Sequence, residues 1–232
     1  MSTRAKSRPL FWREKRDRVL LDVKMLTAVK NTLRPMMMEF SYKPAVEMAG
    51  FNPVETYPVS SMVVYRCNGA SSRETIVKIA RRQNPEFLDD LRGEWKVLIR
   101  MDGCPRIPRF VSYHDHLSGS MISAVTNFLR GAGFEKDAYE ALERTYIPGR
   151  ELFPGERISC TREQAELMEV MKAFHSEGIA KFSVRNRNLV VTEDSKVHFI
   201  DFGGMIFREE TSGDRFDEVK ETDLKNIEDI FD

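Results

Sequence analysis

Absences narrow the field first. The chain's three cysteines, Cys67, Cys104 and Cys160, stand far apart and form no C-x-x-C pair. Neither a disulfide framework nor a cysteine zinc site is therefore expected, which fits a reducing compartment. No apolar run approaches the roughly 18–20 residues of a membrane span, and the charged N-terminus lacks the apolar stretch of a signal peptide. These absences set the expectation of a cytoplasmic chain with no membrane span. Net charge is missing too, because 36 Lys and Arg balance 36 Asp and Glu. That removes the global basic footprint of a general nucleic-acid binder. With 41% hydrophobic and 31% charged residues, the 232-residue chain can still bury a core.

The balanced total conceals an asymmetry. Residues 1–45 carry 11 Lys and Arg against 4 Asp and Glu, whereas residues 208–232 carry 4 against 10. A basic arm and an acidic tail can recruit a protein partner, or attract each other. Within the arm, Val19, Leu20, Val23, Leu26 and Val29 recur at helical spacing, so residues 1–50 read as a basic, partly helical extension.

Strands follow. Residues 62–65 and 75–79 are β-branched or aromatic runs around a turn-forming stretch, 68–72, and read as an antiparallel hairpin. A helix is expected from Pro85, with Phe87, Leu91 and Leu98 on one face; Glu94 falls on that face. Residues 109–113 and 142–147 read as further strands, and Pro148-Gly149 breaks the chain. Thr161 with Gln164 predicts a capping box opening a helix that buries Leu167, Met168, Met171 and Phe174 and stops at Gly178. A second hairpin spans 189–192 and 197–200, and a short last helix carries Leu224, Ile227, Ile230 and Phe231. This order predicts an α+β fold, strand-rich over 51–147 and helical over 148–232.

Four polar residues stand where a core-building sequence would not place them. Lys78 lies inside a strand, Glu94 on an apolar helix face, Asn188 at the start of the second hairpin and Asp201 at its end. A buried lysine and a buried carboxylate are tolerable when each finds the other. An Asn and an Asp at the mouth of one hairpin can offer oxygens to a hard divalent cation such as Mg²⁺. Each residue also has a plainer reading. Lys78 could be an edge-strand charge, Glu94 could snorkel to the helix rim, and Asp201-Phe202-Gly203 could be a hairpin exit. Three other candidates read as structural: His114-Asp115-His116 as a surface loop, Cys160 as an ordinary cysteine before a helix, and His175 as a helix-end histidine.

Residues 174–179, 188–191 and 197–203 together resemble the catalytic core of the protein-kinase-like superfamily. The nearest likeness is to its small atypical branch of RIO-type, lipopolysaccharide and aminoglycoside kinases. Residues 75–79 are similar to that family's V-A-I-K strand, and Tyr146-Ile147-Pro148-Gly149-Arg150-Glu151-Leu152 looks like its hinge. The resemblance implies a two-lobe fold with a minimal C-terminal lobe that binds ATP and Mg²⁺. Lys78 would hold the α/β-phosphates, Glu94 would orient it, Tyr146 and Ile147 would meet the nucleotide, and Asn188 and Asp201 would hold the metal.

The departures from the family pattern matter as much. Ser183 stands at the position of the catalytic aspartate and Lys181 at that of the histidine, while residues 58–62 replace the glycine-rich loop without a glycine. A hydroxyl cannot act as a carboxylate base, and losing a general base costs ~10²–10⁴-fold. Arg185 and Arg187 beside it could support binding or a rearranged transfer. The resemblance therefore implies a phosphotransferase by descent, with weak or absent transfer to a hydroxyl of a small molecule or protein. The alternatives are a non-catalytic pseudokinase scaffold that binds a protein partner, and another ATP-dependent transfer such as nucleotidylation.

Overall fold

The strand that carries Lys78 lies in the middle of its sheet, not at an edge. Five antiparallel strands pair in the order β1-β2-β3-β5-β4. They are β1 (Asn52–Pro58), β2 (Val63–Asn68), β3 (Glu74–Arg81), β4 (Phe110–Ser118) and β5 (Ala138–Thr145). Residues 75–80 of β3 are buried on both faces, which is why this run is so rich in Ile and Val. The edge-strand reading of Lys78 is thereby corrected: strands flank β3 on both sides. Strand β1 is absent from the sequence reading, because Asn52-Pro53-Val54-Glu55-Thr56-Tyr57 carries no clean alternation and Val54 is half exposed. Its pairing to β2, with Tyr57 opposite Val64, makes it a strand.

The computed structural model describes residues 46–47, 50–58, 62–68, 73–82, 84–118, 138–180 and 184–231. All of them belong to one compact unit, Tyr42–Asp232. The expected arm helix, the hairpin tip at 69–72, the loop at 59–61, and Lys181 and Ser183 lie outside the described residues.

Helix α1 (Pro85–Arg100) opens with Pro at its first turn, where no N–H is needed, and buries Leu88, Leu91, Glu94, Val97 and Leu98. Helix α2 (Thr161–Ser176) buries Leu167, Met171 and Phe174, with Met168 at the rim. The capping box does not form. The helix starts one residue earlier than expected, Cys160 is the N-cap, and it is the Cys160 carbonyl that accepts the Gln164 N–H. Gly178 ends the turn after α2 at φ +73°, a left-handed conformation that favours glycine. Helix α3 (Gly213–Glu228) is longer than expected and buries Phe216, Val219, Asp223 and Ile227, while Ile230 and Phe231 follow as buried residues outside it.

Between these helices run β6 (Arg150–Glu151), β8 (Leu189–Val191) and β9 (Val197–Phe199), forming a small sheet in the order β6-β8-β9. Strand β7 (Ile179–Ala180) pairs with β10 (Ile206–Phe207). One core joins Leu91 and Leu98 of α1, Leu142 of β5, Phe174 of α2, Leu189 and Phe199 of the hairpin, and Phe202. Each such side chain contributes roughly 1.5–3 kcal/mol when fully buried. Polar ties fix the hairpin from outside: Glu163 of α2 accepts the Val197 N–H at 2.9 Å and pairs with buried Arg106 at 3.1 Å. His175 of α2 meets Asp223 of α3 at 3.1 Å, both buried, which makes the helix-end histidine a partner in helix–helix docking. Among the described residues no helix is long and apolar enough to cross a membrane.

Candidate functional site

Strand periodicity decides what shares a face. On β3, Ile76 and Lys78 point the same way, and the register sets Val64 and Leu142 beside Lys78 and Arg144 beside Ile76. That face and the β8–β9 hairpin enclose a cleft of about 400 Å³, a volume usual for a small-ligand site. Met62, Val64 and Ile76 supply apolar wall from the large sheet; Val190 and Ile200 supply it from the hairpin. Lys78, Arg144, Tyr146, Ile147, Glu151, Arg187, Asn188 and Asp201 also line it. The sequence-predicted residues Lys78, Tyr146, Ile147, Asn188 and Asp201 thus share one cleft, and Glu94 stands behind Lys78.

The charged end is a network. Lys78 Nζ donates to Glu94 Oε2 at 2.5 Å and to Asp201 Oδ1 at 2.8 Å. Glu94 is wholly buried and Lys78 nearly so, whereas the Asp201 side chain is 43% exposed. The snorkelling reading of Glu94 is corrected, because its carboxylate is held inside by two cations. The second is Arg144, whose Nε faces Glu94 Oε1 at 3.1 Å without hydrogen-bond alignment, while its Nη2 donates to the Ile200 carbonyl at 2.7 Å. Burial works against the charge on Lys78, but the Asp201 and Glu94 carboxylates outweigh it and its pKa stands above the ordinary lysine value. The Lys78 ammonium holds the Asp201 carboxyl down to about 2, against burial.

Asp201 leaves the hairpin on a turn anchored from several directions. Phe202 is fully buried against Phe174, with ring centroids 6.0 Å apart. Asp90, one helical turn before Glu94 on α1, lies against this turn: its Cγ and Oδ2 would stand 3.7 and 3.8 Å from a Cβ at Gly203, and burial pushes its carboxyl up. The hairpin-exit reading of residues 201–203 is right about the turn, but Asp201 also reaches Lys78. Asn188 is buried at the end of a 3₁₀ turn (Asn186–Asn188), and its carbonyl accepts the Ile200 N–H at 3.0 Å, so the two ends of the hairpin are locked together.

The expected hinge begins where Tyr146 donates its N–H to the Glu74 carbonyl at 3.1 Å and carries the Arg66 guanidinium 4.6 Å from its ring centre. Gly149 then crosses the hairpin so closely that a Cβ there would sit 2.5 Å from both Val190 Cγ1 and the Val191 carbonyl oxygen. Only glycine permits that crossing, which sets the floor of the cleft against the 146–149 segment.

Sequence reading missed Arg144, Glu151 and Asp90. Arg144 bears the same signal as Lys78, a cation two residues from Leu142 inside a strand. Asp90 carries no signal, since an aspartate on an exposed-looking helix position is ordinary. The His114-Asp115-His116 run lies on β4, where His114 meets Ser112 at 3.1 Å and packs edge-on to Phe51. That corrects the surface-loop expectation to a strand. Among the described residues no group of three or more His, Cys, Asp or Glu could hold a metal ion. Any metal at this cleft would rest on Asp201, the Asn188 side chain and the ligand's own oxygens.

Comparison with family models finds no match, and comparison with curated proteins finds none.

Proposed function

We propose that this chain is a kinase-like, two-lobe protein that binds ATP with Mg²⁺, a phosphotransferase by descent whose transfer to a hydroxyl acceptor is weak or absent. The observation that carries the reading is Lys78, buried in a central strand, donating to Glu94 at 2.5 Å and to Asp201 at 2.8 Å at one end of an apolar-walled cleft. Phosphoryl transfer needs positioning and charge neutralisation more than covalent chemistry, and this set supplies a cation, its brace and an ionised carboxylate.

The residues present fit such a ligand. Val64 and Ile76 on one side, Val190 and Ile200 on the other, suit a planar base. The Tyr146 N–H is engaged by Glu74, which leaves the Tyr146 carbonyl and Ile147 to meet the base edge. Lys78 would turn from Asp201 towards phosphate oxygens while Glu94 keeps hold of it. Asp201 and Asn188 would hold Mg²⁺, which when bound neutralises phosphate charge. The ordinary carboxylate base is missing from the sequence at Ser183, and that favours a second reading: a pseudokinase scaffold that uses the bound nucleotide, or only the fold, to present a surface to a protein partner.

Thermal unfolding with ATP, with and without MgCl₂, on the native chain and on Asp201→Ala tests the proposal. A ligand at about a hundred times its Kd stabilises the folded state by about 2.7 kcal/mol, a shift of several degrees. A Mg²⁺-dependent rise that vanishes in Asp201→Ala is expected. No rise at millimolar ATP would overturn nucleotide binding and leave the scaffold reading.

A further inference from the structure

A polar tie holds the approach to Asp201. Arg144 donates to the carbonyl of Ile200, the residue before it, at 2.7 Å. The tie leads back to α1, because Arg144 reaches Glu94 of that helix at 3.1 Å while being itself rooted in β5. One guanidinium thus joins the sheet, the helix bearing the lysine's partner and the backbone that aims Asp201. Arg144 is 5% exposed, so its charge is held in the network and not dispersed into water.

This arrangement has a consequence for Glu94. When Lys78 turns towards a ligand, Glu94 would lose its closest cation. Arg144 supplies the second, on the other carboxylate oxygen, so Glu94 keeps a cationic partner and its place. An Asp201 turn tied through Ile200 has less freedom to swing out of the cleft.

We propose that Arg144 is a positioning residue, a fixed latch that holds the Asp201 turn and Glu94 in the metal-binding arrangement before any ligand arrives. The site is then built in one state and needs no separate switch to assemble it. This rests on the nucleotide–Mg²⁺ reading for its function, though not for its geometry.

Arg144→Lys is the informative variant, since it keeps the charge but is too short of donors and reach to serve Glu94 and Ile200 together. Amide hydrogen exchange without ligand is the first measurement. Faster exchange at Ile200, whose N–H the Asn188 carbonyl accepts at 3.0 Å, is expected, with the amides of α2 unchanged. The second is the Mg²⁺ concentration that half-saturates ATP binding, expected to rise about 10–100-fold as for other partners that orient a metal ligand, a larger factor than any loss in Mg²⁺-free ATP binding. Loss of general packing would move the α2 amides as well. Native exchange at Ile200 in Arg144→Lys overturns the latch, and so does an unchanged Mg²⁺ titration. Arg144→Met, which keeps the packed stem and removes every donor, is the second variant should Arg144→Lys unfold; unaltered exchange at Ile200 there overturns the latch equally. If the native chain binds no ATP, the nucleotide reading fails while the exchange measurement still decides the latch.

Discussion

Lys78 and Asp201, 123 residues apart in sequence, meet at 2.8 Å. The contact joins the central strand of the large sheet to the exit of the small hairpin, and each charge sets the other's titration. It gives the first of four expected outcomes.

The Asp201 carboxyl is held at about 2, below its ordinary 3.8. A depressed acid stabilises the fold in full above its unfolded pKa and loses that contribution as pH falls from about 4 to about 2. Because the side chain is 43% exposed, solvent screening limits the effect to on the order of 1 kcal/mol. Urea midpoints of the native chain and Asp201→Asn should differ at pH 7 and converge near pH 2. Parallel curves across that range would contradict the pairing.

Glu94 and Lys78 should not be equivalent. Removing Lys78, as Lys78→Met, leaves Glu94 still paired with Arg144. Glu94→Gln leaves Lys78 and Arg144, two buried cations, with Asp201 as their remaining nearby anion. Breaking a buried pair costs about 3–5 kcal/mol when a charge is stranded. Denaturant unfolding should therefore show Glu94→Gln as the more damaging change, and the double variant Lys78→Met/Glu94→Gln as less damaging than the sum of the two singles.

Gly149→Ala places a methyl 2.5 Å from Val190 Cγ1 and from the Val191 carbonyl oxygen. Overpacking of this kind costs about 1–3 kcal/mol. Adding Val190→Ala should recover only part of the loss, since the clash with the backbone oxygen remains. Full recovery in thermal unfolding would place the clash on the side chain alone.

Thiol labelling should proceed in a fixed order. Cys160 is exposed at the N-cap of α2, Cys104 is partly buried with its pKa raised by burial, and Cys67 is buried in β2 with its thiol pushed up to about 12. A thiol reagent under native conditions should modify Cys160 first and Cys67 only on unfolding. Early modification of Cys67, followed by mass spectrometry of peptides, would contradict its place in the sheet.

The elements that rest on local rules could be read directly from the residues. The runs around Val64 and Val77, the α1 face of Leu91 and Leu98, Gly178 after α2 and the 189–200 hairpin all follow from periodicity and turn chemistry, which act over a few residues. The sequence also marked Lys78, Glu94, Asn188 and Asp201, because a polar group in an apolar setting needs a partner. Tertiary structure decided the rest. It made residues 52–58 a strand by pairing them with β2, moved the cap of α2 one residue back to Cys160, and set β3 between β2 and β5. It brought Arg144 to Glu94 and Ile200, and Asp90 to the turn at Gly203. Those contacts depend on strand order and helix placement, so no local pattern carries them. A charge in a strand announces that it must be satisfied, and only the packed fold says by what.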